Sequence, residues 1–289
     1  MIDDETLDLA SARGTSRLKP VPSSSGNRSA MKRFVPLCVL VIALTGNLLG
    51  EDAFHPVRCE GKYPMHLQGV STNDRDAIYW SFTDRLVKTD REGKILVNVP
   101  ADDHQGDPCF RNGKLYVAVN LGEFNQPEGK ADSWVYVFDG VDLKLLAKHP
   151  VPEVVHGAGG IAVQESKFIV VGGLPGDLSE NYLYEYDETF RFRKRHVLPS
   201  GQTHLGIQTA EYADGFWWFG CYGTPRVLLK ADQDFQLVGK WEFDCSLGIT
   251  RTPEGTLLIA RGKQSPEKLY DGELVRALPD DQTGLRIVP

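Results

Sequence analysis

The chain has 289 residues, of which 41% are hydrophobic and 25% charged. That is enough apolar material for a substantial core, and it excludes a disordered or collagenous chain. A formal net charge of -7 argues against a partner held through its phosphate backbone, since such binding needs clustered Lys and Arg to release counterions, so no nucleic-acid partner is expected.

Residues 1–30 are polar, with the Ser-rich run PSSSGNRS, and carry no apolar periodicity, so they read as a disordered or mis-annotated extension. At Met31 the pattern changes to MKRFVPLCVLVIALTGNLLG, a short basic start, an apolar stretch and a small, polar end. Residues 31–50 therefore read as a Sec-type signal peptide, with translation starting most simply at Met31. The apolar run from Phe34 to Leu44 is too short for a stable membrane span. The mature chain is expected to begin near Glu51, to be periplasmic or extracellular, and to make no stable membrane insertion after cleavage. Residues 51–65 read as a lead-in segment.

Export would leave Cys59, Cys109, Cys221 and Cys245 in an oxidising compartment. These thiols allow three pairings, of which Cys221 with Cys245 is preferred because the repeat register puts both at one end of neighbouring blades. The spacings contain no C-x-x-C, so a zinc knuckle is not indicated.

From residue 66 to 289, short runs rich in β-branched and aromatic residues alternate with Gly, Asn, Asp and Pro. AIYWSF, KLYVAVN, KFIVVGG, GFWWFGC and TLLIARG are versions of one strand, each preceded by a tight-turn segment. A second strand then ends in Asp90, Asp139, Asp187, Asp232 or Asp271, which are 49, 48, 45 and 39 residues apart. With an opening strand (QGVST, GDPCF, GGIAV, LGIQT, SLGIT) and a closing one, each unit holds four strands. A lone four-stranded sheet cannot bury both faces, whereas blades packed around an axis can. The expected fold is all-β, a β-propeller of five four-stranded blades, with six as the alternative. RIVP at the end or PVRCE near the start would supply a ring-closing strand. The basic run FRFRKR, from Phe190 to Arg195, is expected on a solvated sheet edge.

This blade pattern, an opening G-I or G-V strand, a turn, an L-Y-V strand and a strand ending in Asp, resembles the NHL, YncE and gluconolactonase-like group of propellers. The resemblance implies the fold, and its members range from enzymes to binders and scaffolds.

Four histidines open blades: His66 in HLQG, His104 in DHQGD, His156 in HGAGG and His204 in HLGIQ. Each precedes a first strand, so all four are expected around one mouth of the central channel. Converging imidazoles suit a divalent transition metal such as Fe, Mn or Zn. One axial His per blade is similar to the four-His iron site of carotenoid oxygenases and to the His-rich site of oligogalacturonate lyases. The competing reading makes them structural, hydrogen-bonded within the blades as in WD-type propellers. Trp80, Asn120, Tyr222 and Arg261, near the ends of second strands, are expected to rim the mouth, with Trp80, Asn120, Tyr222 and Arg251 as binding residues, Arg251 and Arg261 for an anionic substrate group, and Asp103, Asp107 and Arg261 as catalytic candidates. The chain contains no GxSxG, HExxH, P-loop or Rossmann fingerprint. Three functions are therefore expected, in this order: a metal-dependent lyase or hydrolase acting on a carbohydrate or lactone, a non-catalytic propeller that binds a glycan or protein, and a redox or oxygen-using enzyme with iron at the four-His centre.

Overall fold

The computed structural model of the protein describes residues 54–73, 75–252 and 255–288, and the extension 1–30 and the signal-like stretch 31–50 lie outside them. The described residues form strands joined by turns, and among them no helix is long and apolar enough to cross a membrane. A short strand, β1 (Val57–Arg58), leads in. Blade I follows with β2 (Leu67–Thr72), β3 (Ile78–Phe82), β4 (Arg85–Thr89) and β5 (Ile95–Pro100). Blade II holds β6 (Gln105–Arg111), β7 (Lys114–Asn120), β8 (Ser133–Asp139) and β9 (Leu145–Pro150). Blade III holds β10 (Ala158–Gln164), β11 (Lys167–Gly172), β12 (Asn181–Tyr186) and β13 (Phe192–Leu198). Blade IV holds β14 (His204–Ala213), β15 (Phe216–Tyr222), β16 (Val227–Ala231) and β17 (Leu237–Glu242). Blade V takes β18 (Ile249–Arg251), β19 (Leu257–Arg261), β20 (Glu273–Asp280) and β21 (Gly284–Val288).

The protein is a five-bladed β-propeller. Its innermost strands touch in cyclic order, β2 to β6, β10, β14, β18 and back to β2. Five hydrophobic clusters fill the five seams between neighbouring blades. Because the second strands have blades packed on both sides, IYWSF in β3 is buried at every position. The outermost strands β5 and β17 instead alternate between half-buried and exposed residues. The basic run falls on β13, the outer edge of blade III, where most residues are exposed.

Both ends of the propeller close the ring. Strand β20 pairs antiparallel with β1 at its start, Leu274 opposite Val57, and with β21 along the remainder, from Arg276 opposite Val288 to Asp280 opposite Gly284. There is no sixth sheet among the described residues, and part of the lead-in segment belongs to blade V.

The fifth blade corrects the repeat register. Asp271 does not end a strand but precedes β20, and its carboxylate accepts from the Lys263 N–H at 2.8 Å and from Lys62 Nζ at 2.9 Å. Asp280 holds the equivalent position, 48 residues after Asp232 (280 minus 232), which restores the spacing of the other blades. These aspartates are turn caps. Asp90 accepts from the Lys94 N–H at 2.8 Å, Asp139 from Val141 at 2.7 Å, Asp187 from Thr189 at 2.8 Å, Asp232 from Gln236 at 2.8 Å and Asp280 from Thr283 at 2.9 Å. Each thus holds the tight turn between the third and fourth strands.

The Thr189 hydroxyl, two backbone N–H groups and Arg193 hold the Asp187 carboxyl down to about 2 from an ordinary 3.8. A depressed carboxyl pKa adds stability above its unfolded value, and that stability is lost as pH falls through the folded one. Urea midpoints are therefore expected to fall between pH 4 and about 2, and less so in Asp187→Asn. An identical acid profile in the variant would refute this assignment.

The axis is narrow because glycines let the inner strands approach. A Cβ on Gly69 would lie 2.3 Å from the Cα of Asp107, and one on Gly106 would lie 2.2 Å from the carbonyl oxygen of Gly159. Asp107 uses this closeness. Its two carboxylate oxygens accept the N–H of Val70 in blade I at 3.1 Å and of Ala210 in blade IV at 3.0 Å. One side chain of blade II thereby ties three inner strands.

Candidate functional site

The first strands of blades I to IV begin at one mouth of the axis. Together with the Phe124 loop and the end of β15 they enclose a pocket of about 220 Å³. Three glutamines line it, Gln68 from β2, Gln105 from β6 and Gln208 from β14. Gln208 donates to the Leu205 carbonyl at 2.6 Å, and Gln68 accepts the Tyr222 hydroxyl at 3.3 Å. The Gln105 amide nitrogen donates to the Asp102 carbonyl at 2.6 Å, which fixes the amide's orientation. Its oxygen is buried and has no hydrogen-bond partner. Such an orphaned acceptor costs about 1–3 kcal/mol unless a ligand or water supplies a donor.

The walls are set locally. Asn120 ends β7, and its amide clamps the following loop, donating to the Gly122 carbonyl at 2.9 Å and accepting the Asp132 N–H at 3.1 Å. That loop presents Phe124 to the pocket, close against Gly157, where a Cβ would stand only 2.5 Å from the ring. Burial pushes the Tyr222 phenol up to about 12, so it stays a neutral donor. Burial, and then the neighbouring His104, lower the pKa of His66. Among the described residues lining the pocket, none is an acid.

The structure brings together four of the residues singled out from the sequence: His66, His104, Asn120 and Tyr222. The other two histidines are placed differently. His156 is buried, its Nδ1 2.9 Å from the Gln126 carbonyl, and His204 is exposed in β14 opposite Tyr222. Among the described residues no group of three or more His, Cys, Asp or Glu is placed to hold a metal ion. The donors therefore do not fit the expected four-His centre for Fe, Mn or Zn. Among the described residues these turn aspartates bond backbone N–H groups, while His66 Nδ1 lies 3.5 Å from Thr83 Oγ1 within its own blade, the kind of contact the structural reading expects.

Other expectations are corrected by strand parity and position. Trp80 is fully buried between blades I and V, with its indole N–H donating to Thr89 Oγ1 at 3.0 Å, so it cannot touch a ligand. Asp107 is sealed inside, and burial pushes its carboxyl well above the ordinary range against the pull of two N–H donors. Asp103 lies outside the pocket, exposed, 3.5 Å from His104 Nδ1. Arg251 ends its inner strand, at the far end of the axis, 3.9 Å from Glu211. Arg261 lines a separate cleft beside β1. Cys221 and Cys245 are free, buried thiols in different seams, Cys221 between blades III and IV and Cys245 between IV and V. Burial raises the Cys221 thiol to about 12.

The sequence did carry a signal for the missed glutamines. In HLQG and DHQGD a Gln sits between the blade-opening His and the glycine of close approach.

No protein-family model matches the sequence, and no curated protein matches it. Solved structures do. The fold is similar to that of a xylan beta-1,4-xylosidase from Bacillus halodurans C-125, with a TM-score of 0.55 at 10% identity over 80% of this chain and 56% of that one. It is also similar to a bifunctional GH43-CE protein of Bacteroides eggerthii, with a TM-score of 0.51 at 12% identity over 82% of this chain and 35% of that one. The likeness is one of fold. The chain spans about half of the first structure's length and a third of the second's.

Proposed function

We propose that the protein is an exported carbohydrate-binding propeller whose axial pocket holds one hydroxyl-bearing unit. The observation that carries this reading is a pocket lined by neutral amides, imidazoles, a phenol and Phe124, one of whose lining residues, Gln105, keeps a buried, unpartnered amide oxygen. Amides suit hydroxyl groups that both donate and accept, and an aromatic wall suits the apolar side of a sugar ring. About 220 Å³ is below the range of drug-sized sites, so a single small unit fits. Glycoside hydrolysis ordinarily needs two carboxyls flanking the bond, whereas Asp107 is locked by backbone and Asp103 lies outside the pocket, which favours binding over hydrolysis. A xylan beta-1,4-xylosidase among the similar folds, and the signal-like stretch 31–50, support an exported, glycan-facing role. Membership of the NHL, YncE and gluconolactonase-like group belongs to the same proposal and rests on the blade pattern.

Calorimetric titration of the full chain with neutral monosaccharides tests it. Gln105→Leu is expected to weaken binding by about tenfold, the value of one hydrogen bond of ~1–1.5 kcal/mol. Unchanged affinity in a folded variant would count against the pocket.

A lyase acting on the same ligand is a second reading, favoured by His66. With its pKa lowered by burial and by His104, this imidazole is neutral near pH 7 and able to take a proton. An unsaturated product, read by ultraviolet absorbance and lost in His66→Ala, would establish it.

A further inference from the structure

Beside the axial pocket lies a second cleft, of about 460 Å³, where β1 pairs with the start of β20 next to the end of β19. Four cations line it, Arg58, Lys62, Arg261 and Lys263, against two acids, Asp271 and Glu273. Arg58 Nε pairs with Glu273 at 3.0 Å, and Lys62 Nζ with Asp271 at 2.9 Å. Both acids are thereby occupied. Lys263 contributes its backbone N–H to Asp271, but among the described residues neither its ammonium nor the Arg261 guanidinium has a hydrogen-bond or ion-pair partner. The cleft thus holds two uncompensated positive charges in a chain whose net charge is -7. Concave walls and like charge concentrate an anion, and a planar guanidinium matches a two-oxygen group.

The cleft and the pocket are neighbours. Gly262 lies between Arg261 and Lys263, and a Cβ on it would stand 3.6 Å from the Cβ of Leu67, the residue between His66 and Gln68. On the other side the Tyr270 ring, next to Asp271, lies 5.8 Å from that of His66.

We infer that this cleft is a second binding site, for the oxyanion of an acidic sugar unit, with Arg261 and Lys263 as its recognition residues. The pairing with a sugar rests on the carbohydrate reading of the axial pocket, whereas the oxyanion site itself rests on the cleft alone.

Titration of the full chain with glucose, glucuronate and inorganic sulfate, at low and high salt, tests both parts. Glucuronate is expected to bind about tenfold or more tightly than glucose at low salt, as a charge-assisted contact adds ~1.5–3 kcal/mol. That advantage should shrink at high salt, because both cations are solvent-exposed. In the double variant Arg261→Gln with Lys263→Gln it should vanish while glucose affinity stays as in the wild type. Neither side chain is buried, so the variant keeps its core; circular dichroism checks this. Equal affinity for glucose and glucuronate in the wild type, or an advantage retained by the double variant, would overturn the inference. Sulfate competing with glucuronate in the wild type supports an oxyanion site. If glucose binds no variant while glucuronate and sulfate still depend on Arg261 and Lys263, the cleft stands and the axial reading falls.

Discussion

Replacing Asp107 with alanine is expected to lower the unfolding free energy by about 2–4 kcal/mol, since two buried backbone N–H groups would be orphaned at ~1–3 kcal/mol each and the lost desolvation of a carboxyl offsets part. The donors are Val70 and Ala210, in blades I and IV, and the acceptor is in blade II, so the loss is one of ring cohesion. Asp107→Asn should lose less, because its single carbonyl oxygen keeps one donor while its NH₂ faces the other. Urea unfolding of both variants checks this. A carboxyl that acted on substrate would leave the midpoint unmoved, and that result would return Asp107 to the catalytic candidates.

The second large effect is at Trp80, where truncation to alanine is expected to cost ~3–5 kcal/mol. The indole is fully buried with Leu258, Ala260 and Leu274 of blade V, and it lies 3.0 Å from where a Cβ on Gly272 would be. Removing it opens the seam that joins the first blade to the last. Sugar affinity of the folded fraction should be unchanged, because the indole does not reach the axial pocket. Lost binding with an unmoved midpoint would make Trp80 a rim residue after all.

The blades were legible in the sequence because second strands covered on both faces read as apolar runs, as in IYWSF, and because the turns demand aspartate at a fixed place. The mouth was partly legible for the same reason. His66 and His104 precede first strands, and Asn120 and Tyr222 end second strands, so register alone brings them together. Parity was harder. Trp80 is central in β3, and a side chain there faces one seam or the other according to a shift of one residue. Arg251, expected to bind an anionic group, ends β18 and so lies at the far end of the axis from the pocket. In blade V, EKLYD imitates a strand ending in aspartate, whereas it is Asp280, paired with Gly284 of β21, that holds the turn. Asp107 looked functional because it is a carboxylate beside a histidine. The glycine at 69 that makes room for it comes from a different blade, and no local pattern links the two.

The closure of blade V also has a temporal side. Arg58 meets Glu273 across 215 residues of chain, and ribosomes add ~5–20 residues per second. The first strand therefore waits on the order of 10–40 s for its partner, and the nascent chain cannot complete the ring until nearly all of it has emerged. The seam that joins the first blade to the last is therefore the last part of the ring that can form.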